Sequence, residues 1–98
     1  MPYIVTAHDF PNALDKRMAA RQAHLDALAG MKAEGKVLYA AALLNDSGDM
    51  VGSMLVVDLP DTAAIDAWLE TEPYILQGVW DKSRISVQPC RPAPAAPK

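Results

Sequence analysis

The sequence predicts one domain with an α+β fold. Two segments have the residue spacing of amphipathic helices, and four others are rich in the β-branched and aromatic residues that favour strands. They follow one another in the order strand, helix, strand, strand, helix, strand. The chain has 98 residues, of which 51% are hydrophobic and 21% charged, which is typical of a single globular domain.

The first half of the chain contains one predicted strand and one long predicted helix. The strand runs from Tyr3 to His8 and ends at a turn-forming Asp-Phe-Pro-Asn run. The helix runs from Ala13 to Glu34, and Gly35 stands where a helix commonly ends. Spacings of three and four predict an inward stripe whose central members are apolar: Leu14, Met18, Arg21, Leu25, Leu28 and Lys32.

The second half contains a predicted hairpin, a helix and a last strand. The segments from Val37 to Leu44 and from Met50 to Leu59 flank a polar five-residue link with one glycine, so they should pair antiparallel. Asp61 is the expected N-cap of the second helix, which Pro73 should end. The last strand should run from Val79 to Gln88. This order is that of the ferredoxin-like βαββαβ fold, with both helices on one face of an antiparallel sheet.

The domain should occupy residues 1–89, followed by a Pro/Ala-rich tail at residues 90–98. The tail has several prolines and alanines but few large apolar side chains, so it is expected to be a flexible extension.

The two central strands are apolar on both faces. Val37, Tyr39, Ala41 and Leu43 should point one way and Leu38, Ala40, Ala42 and Leu44 the other, and neither set is polar. Since the helices cover only one face, the other needs a partner. We expect a homodimer in which two sheets pack face to face.

Charge and cysteine content exclude several classes of protein. Nine basic residues are scattered among twelve acidic ones, for a net charge of −3, so no basic surface for nucleic acid is expected. Cys90 is the only cysteine, which excludes an internal disulfide and a cysteine-rich zinc site. The sequence has no recognisable signal peptide or membrane-spanning stretch, so we expect a cytoplasmic protein.

His24 and Asp9 are the best candidates for chemistry. A histidine titrates near neutral pH, and an aspartate can fix its tautomer and stabilise its charge. The structural alternatives stay open: His24 at a helix edge bonded to a backbone carbonyl, and Asp9 as a turn residue before Pro11. His8 should point away from Asp9, and no metal-type histidine spacing occurs, so no metal site is expected.

Three further side chains are candidates for binding a ligand. Ser53 and Tyr74 carry hydroxyls suited to an anionic or phenolic substrate, and Arg21 is suited to a carboxylate. Each also has a structural interpretation, as a strand-start serine, a packed tyrosine and a solvated arginine. No glycine-rich nucleotide loop or ligand cluster is present, so no cofactor is expected.

Five short motifs resemble the YciI-like family over the span from about Tyr3 to Pro89. They are the strand ending in Asp9, Arg21-x-x-His24-Leu25, Gly52-Ser53, Glu72-Pro73-Tyr74 and Gly78-Val79-Trp80. The resemblance implies a dimeric α+β barrel of ferredoxin-like subunits with a cleft that holds a His and an Asp. Similar proteins include cofactor-free dehydrochlorinases of chlorinated aromatic compounds, and muconolactone isomerases share the wider architecture.

The chain departs from the family pattern at three places. Gln22 replaces a proline, Ala41-Ala42 replaces a Gly-Pro pair, and Glu72 replaces an aspartate. The proline of the relatives implies a helix that begins near Arg21, which would put His24 in the first turn, within reach of Asp9. A continuous helix from Ala13 would instead carry His24 about 17 Å along its axis, away from Asp9.

Two functions remain open at this point. One is a cofactor-independent lyase or isomerase that acts on a small cyclic or aromatic acid, with proton transfer by His24 oriented by Asp9. The other is a non-catalytic small-molecule binding or accessory protein that uses the same dimer cleft. The fold does not separate them, because one architecture hosts many functions.

Overall fold

The computed structural model describes residues 1–94 and confirms the predicted α+β fold. The elements are β1 Pro2–Asp9, α1 Leu14–Ala33, β2 Val37–Leu44, β3 Met50–Asp58, α2 Thr62–Leu69, α3 Pro73–Leu76 and β4 Trp80–Pro89. The four predicted strands and two predicted helices are present, and α3 is an addition. The last residues of the predicted tail, 95–98, lie outside the described residues.

The strands form one antiparallel sheet in the order β2-β3-β1-β4. This is the sheet order of a ferredoxin-like fold, in which the first and third strands lie at the centre and the other two at the edges. None of the helices within residues 1–94 is long and apolar enough to cross a lipid bilayer.

Local sequence signals explain where most of the elements begin and end. The Asp61 carboxylate accepts a hydrogen bond from the Ala64 amide at 2.9 Å and so caps α2 as predicted. Gly35 follows α1 with φ +74°, a conformation that glycine adopts without strain. Helix α2 ends at Leu69, before the stop predicted at Pro73, and Pro73 instead occupies the first turn of α3, where its missing N–H costs nothing.

Helix α1 differs from its prediction in rotation and continuity. It runs unbroken from Leu14 to Ala33, without a new start near Arg21. Its buried side chains are Arg17, Ala20, His24 and Leu28. Of the predicted stripe only Leu28 is buried, whereas Leu14, Met18, Arg21, Leu25 and Lys32 are exposed. Two polar side chains therefore take the inward face, because both find charged partners there.

The two faces of the sheet have different neighbours. Val5, Ala7, Leu55 and Val57 are almost fully buried and join the core with residues of the helices. The alternate positions turn to the face without helices: Ile4, Thr6 and His8 of β1, Met54 and Val56 of β3, and Tyr39, Ala41 and Leu43 of β2. A register shift between Val37 and Tyr39 sends Val37 to the core, whereas simple alternation had put it with Tyr39.

Candidate functional site

An ion pair between Arg17 and Asp9 lies at one end of the helix-covered face of the sheet. The Arg17 Nη1 atom donates to both oxygens of Asp9, at 2.9 and 3.0 Å, and the two side chains are 3% and 4% exposed. Asp9 ends β1, and Arg17 lies in the first turn of α1, so the intervening loop brings them together. A buried pair of this kind holds its geometry tightly, because either charge alone would be costly.

Ser53 connects this ion pair to β4. Its Oγ accepts a hydrogen bond from Arg17 Nη2 at 2.8 Å and from Trp80 Nε1 at 3.2 Å. A hydroxyl has two acceptor lone pairs and one proton to donate. Both lone pairs are occupied, so Ser53 can act toward a ligand only as a donor.

His24 forms the second polar pair of the site, with Glu72. The His24 Nδ1 atom is hydrogen-bonded to Glu72 Oε1, which also accepts from the Tyr74 amide at 3.3 Å. Glu72 is the N-cap of α3, and its side chain is fully buried. A carboxylate at Nδ1 fixes the tautomer that carries its proton on Nδ1, which leaves Nε2 as the free basic nitrogen of a neutral ring.

Tyr74 joins the two pairs. Its ring stacks on His24 with centroids 3.9 Å apart and planes 12° from parallel. The Arg17 guanidinium carbon lies 4.8 Å from the centroid of the same ring, within cation–π range. Five side chains, those of Asp9, Arg17, Tyr74, His24 and Glu72, thus form one continuous chain of contacts.

Burial and charge shift the pKa values of two of these groups. Burial raises the pKa of the Asp9 carboxyl, and the hydrogen bond and charge of Arg17 oppose that rise, as does the charge of His8. Burial likewise raises the pKa of the Tyr74 phenol, against the opposing charges of Arg17 and Arg21. Tyr74 is therefore a neutral donor at physiological pH.

A cavity of about 130 Å³ opens between α1 and the sheet above this cluster. Its polar lining consists of Arg17, Arg21, His24, Ser53 and Tyr74, and alanine, leucine and methionine side chains supply the rest. Four of the five predicted site residues therefore line one cavity. Asp9 does not, since it lies behind Arg17.

His24 and Asp9 do not form the pair that depended on a helix start near Arg21, and each residue has a different partner. The continuous helix α1 separates them, as expected for a helix that does not restart near Arg21. Asp9 binds Arg17 and His24 binds Glu72. The sequence interpretation includes Glu72 only as part of the Glu-Pro-Tyr motif and as a departure from the family pattern, and it does not include Arg17.

Both missed partners left a signal in the sequence. Arg17 precedes His24 by seven residues, or about two helical turns, so it shares the inward face of α1. Glu72 precedes the Pro-Tyr pair and is placed to cap the short helix that starts there. Among residues 1–94, no three His, Cys, Asp or Glu side chains are grouped closely enough to hold a metal ion.

Comparison with known proteins identifies relatives along nearly the whole chain. Protein YciI of Escherichia coli O6:H1 and protein YciI of Shigella flexneri are each 33% identical over 95 residues, which cover 91% of this chain and 95% of theirs. An uncharacterized protein of Haemophilus influenzae is 31% identical over 86 residues, covering 82% of this chain and 88% of its own.

A solved structure has the same fold. It is the 5-chloro-2-hydroxyhydroquinone dehydrochlorinase TftG of Burkholderia phenoliruptrix AC1100, in complex with 2,5-dihydroxybenzoquinone. The TM-score is 0.81 at 24% sequence identity, with 93% of this chain and 94% of that chain covered. The family model of the YCII-related domain matches residues 1–88. The chain therefore belongs to the family of YCII-related domains.

Proposed function

We propose that the cavity binds a small cyclic or aromatic acid and that His24 moves a proton to or from it in a cofactor-independent lyase or isomerase reaction. The observation that carries this proposal is the pairing of His24 Nδ1 with the buried carboxylate of Glu72. Glu72 takes the orienting role that the sequence interpretation gave to Asp9. The arrangement is that of a general base held in one tautomer by a carboxylate, with Nε2 left for the ligand.

The cavity lining favours an anionic or phenolic ligand. Arg21 supplies a positive charge at the exposed side of the cavity, and Ser53 supplies an oriented O–H donor beside Arg17. The neutral Tyr74 phenol is a further donor. Donors and positive charge that converge on one point also stabilise negative charge that develops on an oxygen during proton transfer.

The size of the cavity agrees with a single ring. A cavity of about 150 Å³ lined by apolar side chains holds one benzene molecule in another protein. The 130 Å³ found here is comparable. The TftG ligand 2,5-dihydroxybenzoquinone is also a single ring, which makes it a suitable first probe.

The elimination of hydrogen chloride from a chlorinated hydroquinone is one reaction that this site suits. His24 Nε2 would accept the proton of one ring hydroxyl and deliver it to the chlorine-bearing carbon, which gives the keto tautomer. Chloride would then leave that carbon as a second ring hydroxyl loses its proton to water, so the products are a hydroxyquinone and hydrogen chloride. The isomerisation of a lactone needs the same group twice, first as base and then as acid. Neither reaction needs a group that the side chains of the cavity lack.

We further propose that the protein works as a cytoplasmic homodimer, with the open sheet faces packed together. The apolar side chains of that face support a second subunit as its cover, because sheet-on-sheet packing buries the largest part of it at once. The single free thiol, Cys90, agrees with a reducing compartment.

The test is binding and turnover in matched variants. Titration of 2,5-dihydroxybenzoquinone into the wild-type protein should shift the NMR signals of His24 and Ser53, and Arg21→Gln should weaken binding about tenfold. The control is Lys32→Gln, which removes one positive charge from the same helix away from the cavity.

Activity separates the two functions. Release of chloride from 5-chloro-2-hydroxyhydroquinone, or isomerisation of a muconolactone, should be lost in His24→Gln with binding retained. A ring compound that binds the cavity but is never converted would contradict the enzyme and support the non-catalytic binding protein. No binding of the quinone at this cavity would contradict both.

A further inference from the structure

A second and larger cavity adjoins the proposed site. It has a volume of about 470 Å³ and lies where β1 leads into α1 and where the β2–β3 hairpin turns. Among residues 1–94, Met50 is the one residue that lines both cavities. The boundary between them therefore runs through Met50.

The rest of this boundary is rigid. Asp9 lines the second cavity and Arg17 lines the first, and the two are joined by two hydrogen bonds in a buried ion pair. Moving either side chain would leave an unpaired buried charge, which is strongly unfavourable. A ligand will not displace this part of the boundary.

Met50 is the part of the boundary that can move. It is the first residue of β3, is half-buried, and pairs with Leu44 just after a register irregularity between Leu43 and Leu44. A methionine side chain is unbranched and has three rotatable bonds, so it adapts to its surroundings at low cost. No hydrogen bond fixes it within the described residues.

The second cavity offers an environment for an additional ring or substituent. Its apolar lining includes Phe10, which is 44% exposed, together with Leu14 and Val51. Its polar lining includes Asn45, Arg84 and the carboxylate of Asp49. An aromatic extension of a ligand held in the first cavity would find both an apolar surface and donors for its oxygens.

We propose that Met50 is the residue that determines the size of the ligand, admitting a single ring to the first cavity and closing the way to the second. This inference rests on the proposed function, because it assumes that ring compounds bind beside His24. It extends that function by naming the ligand class: single-ring anions for the wild-type protein, and two-ring anions once the Met50 side chain is shortened.

The experiment compares two hydroxyquinones in matched variants. The affinities of 2,5-dihydroxybenzoquinone and 2-hydroxy-1,4-naphthoquinone are measured by calorimetry for the wild type, Met50→Ala, Met50→Val and Val51→Ala. Met50→Ala removes the atoms beyond Cβ from the boundary, whereas Val51→Ala enlarges only the second cavity. Met50→Val serves if the alanine variant does not fold.

The expected result is a gain of affinity in Met50→Ala for the two-ring ligand alone. Met50→Ala should strengthen binding of the naphthoquinone about tenfold and change that of the benzoquinone little, since one or two methylene groups in a pocket discriminate by that order. Val51→Ala should change neither. Two results would overturn this inference and leave the proposed function standing. One is an equal gain of affinity for the naphthoquinone in Met50→Ala and Val51→Ala, and the other is no gain in Met50→Ala while the benzoquinone still binds. Failure of the benzoquinone to bind the wild type would overturn the proposed function and this inference with it.

Discussion

Glu72 forms both of its hydrogen bonds through the same carboxylate oxygen. Oε1 receives His24 Nδ1 and the Tyr74 amide, and Oε2 is buried without a partner among the described residues. A carboxylate in this position depends on His24 for its stability, and His24 depends on it for its tautomer. The pair is therefore sensitive to any change of charge at position 72.

Glu72→Gln should disturb both stability and the His24 tautomer. The amide would bury an N–H₂ group where Oε2 has no partner, so the free energy of unfolding should fall by about 3 kcal/mol. The amide oxygen at the Oε1 position is a weaker acceptor than a carboxylate, so the ¹⁵N chemical shifts of the His24 ring should show a smaller share of the Nδ1–H tautomer. Urea unfolding measures the first effect. Glu70→Gln, at an exposed position next to α2, is the control and should leave both unchanged.

The ion pair of Arg17 and Asp9 gives a prediction that depends on pH. In Arg17→Met the hydrogen bond and charge of Arg17 no longer oppose burial, and only the charge of His8 does, so the pKa of the Asp9 carboxyl should rise above that of the wild type. A carboxyl whose folded pKa lies above its unfolded value binds a proton on folding, which lowers stability as the pH rises past 3.8. The loss of stability with rising pH should therefore be larger in Arg17→Met than in the wild type.

Arg17→Met should therefore lose about 4 kcal/mol of stability at pH 7 and distinctly less at pH 4. The measurement is urea unfolding of both proteins at the two pH values, with the wild type as reference at each. A loss of equal size at both values would contradict an ionised Asp9 as the cause. The double variant Asp9→Asn, Arg17→Met should recover part of the loss at pH 7, because it buries no charge.

At the scale of elements, the sequence predicted what depends on local patterning. The strands, the cap at Asp61, the glycine after α1 and the sheet order follow from alternation, turn residues and chain connectivity. The rotation of α1 does not, because two polar side chains, Arg17 and His24, are buried in place of apolar Leu14 and Met18. Only their partners make that burial favourable, and these are Asp9 of β1 for Arg17 and Glu72, the N-cap of α3, for His24.

Local sequence patterns also could not decide the partner of His24 in the predicted site. His24, Arg21, Ser53 and Tyr74 were found to line one cavity because each stands at an element position that a ferredoxin-like fold brings together. The partner of His24 depended on the length and continuity of α1, which Gln22 left open. Because Gln22 stands where the resemblance implies a proline, α1 continues past Arg21. His24 therefore pairs with Glu72 and not with Asp9.

Two glycines in different elements should respond to alanine in opposite directions. A Cβ at Gly52 of β3 would lie 2.7 Å from the Ala7 carbonyl oxygen, and a Cβ at Gly30 of α1 would meet nothing within 4 Å. Gly52→Ala should therefore destabilise the protein by about 2 kcal/mol, and Gly30→Ala should stabilise it by about 0.8 kcal/mol. Thermal unfolding of the two variants against the wild type measures both. A destabilising Gly30→Ala would contradict an unstrained interior position in α1.

At the scale of the whole molecule, one face of the sheet is covered by the helices and the other face is open. Tyr39 on β2 is 58% exposed and Ile4 on β1 is 37% exposed, and Met54 and Val56 lie between them on β3. An apolar surface of this kind, roughly several hundred Å² in area, is rarely left open on a monomer. A second copy presents the same surface, so a two-fold axis that lies between the two sheets and parallel to them covers both at once.

This arrangement predicts the mass of the protein in solution and a variant that changes it. Sedimentation equilibrium at micromolar concentration should give about 21 kDa, twice the 10.6 kDa of the chain. Val56→Lys places a charge at the centre of the open face and should shift the equilibrium to the monomer, because an unpaired ammonium in a sheet-on-sheet interface loses its hydration. Met18→Lys makes the same kind of change at an exposed position of α1 and should leave the dimer intact. A wild-type mass of one chain would contradict the dimer. Dissociation by Met18→Lys but not by Val56→Lys would mean that the interface does not lie on the open face of the sheet.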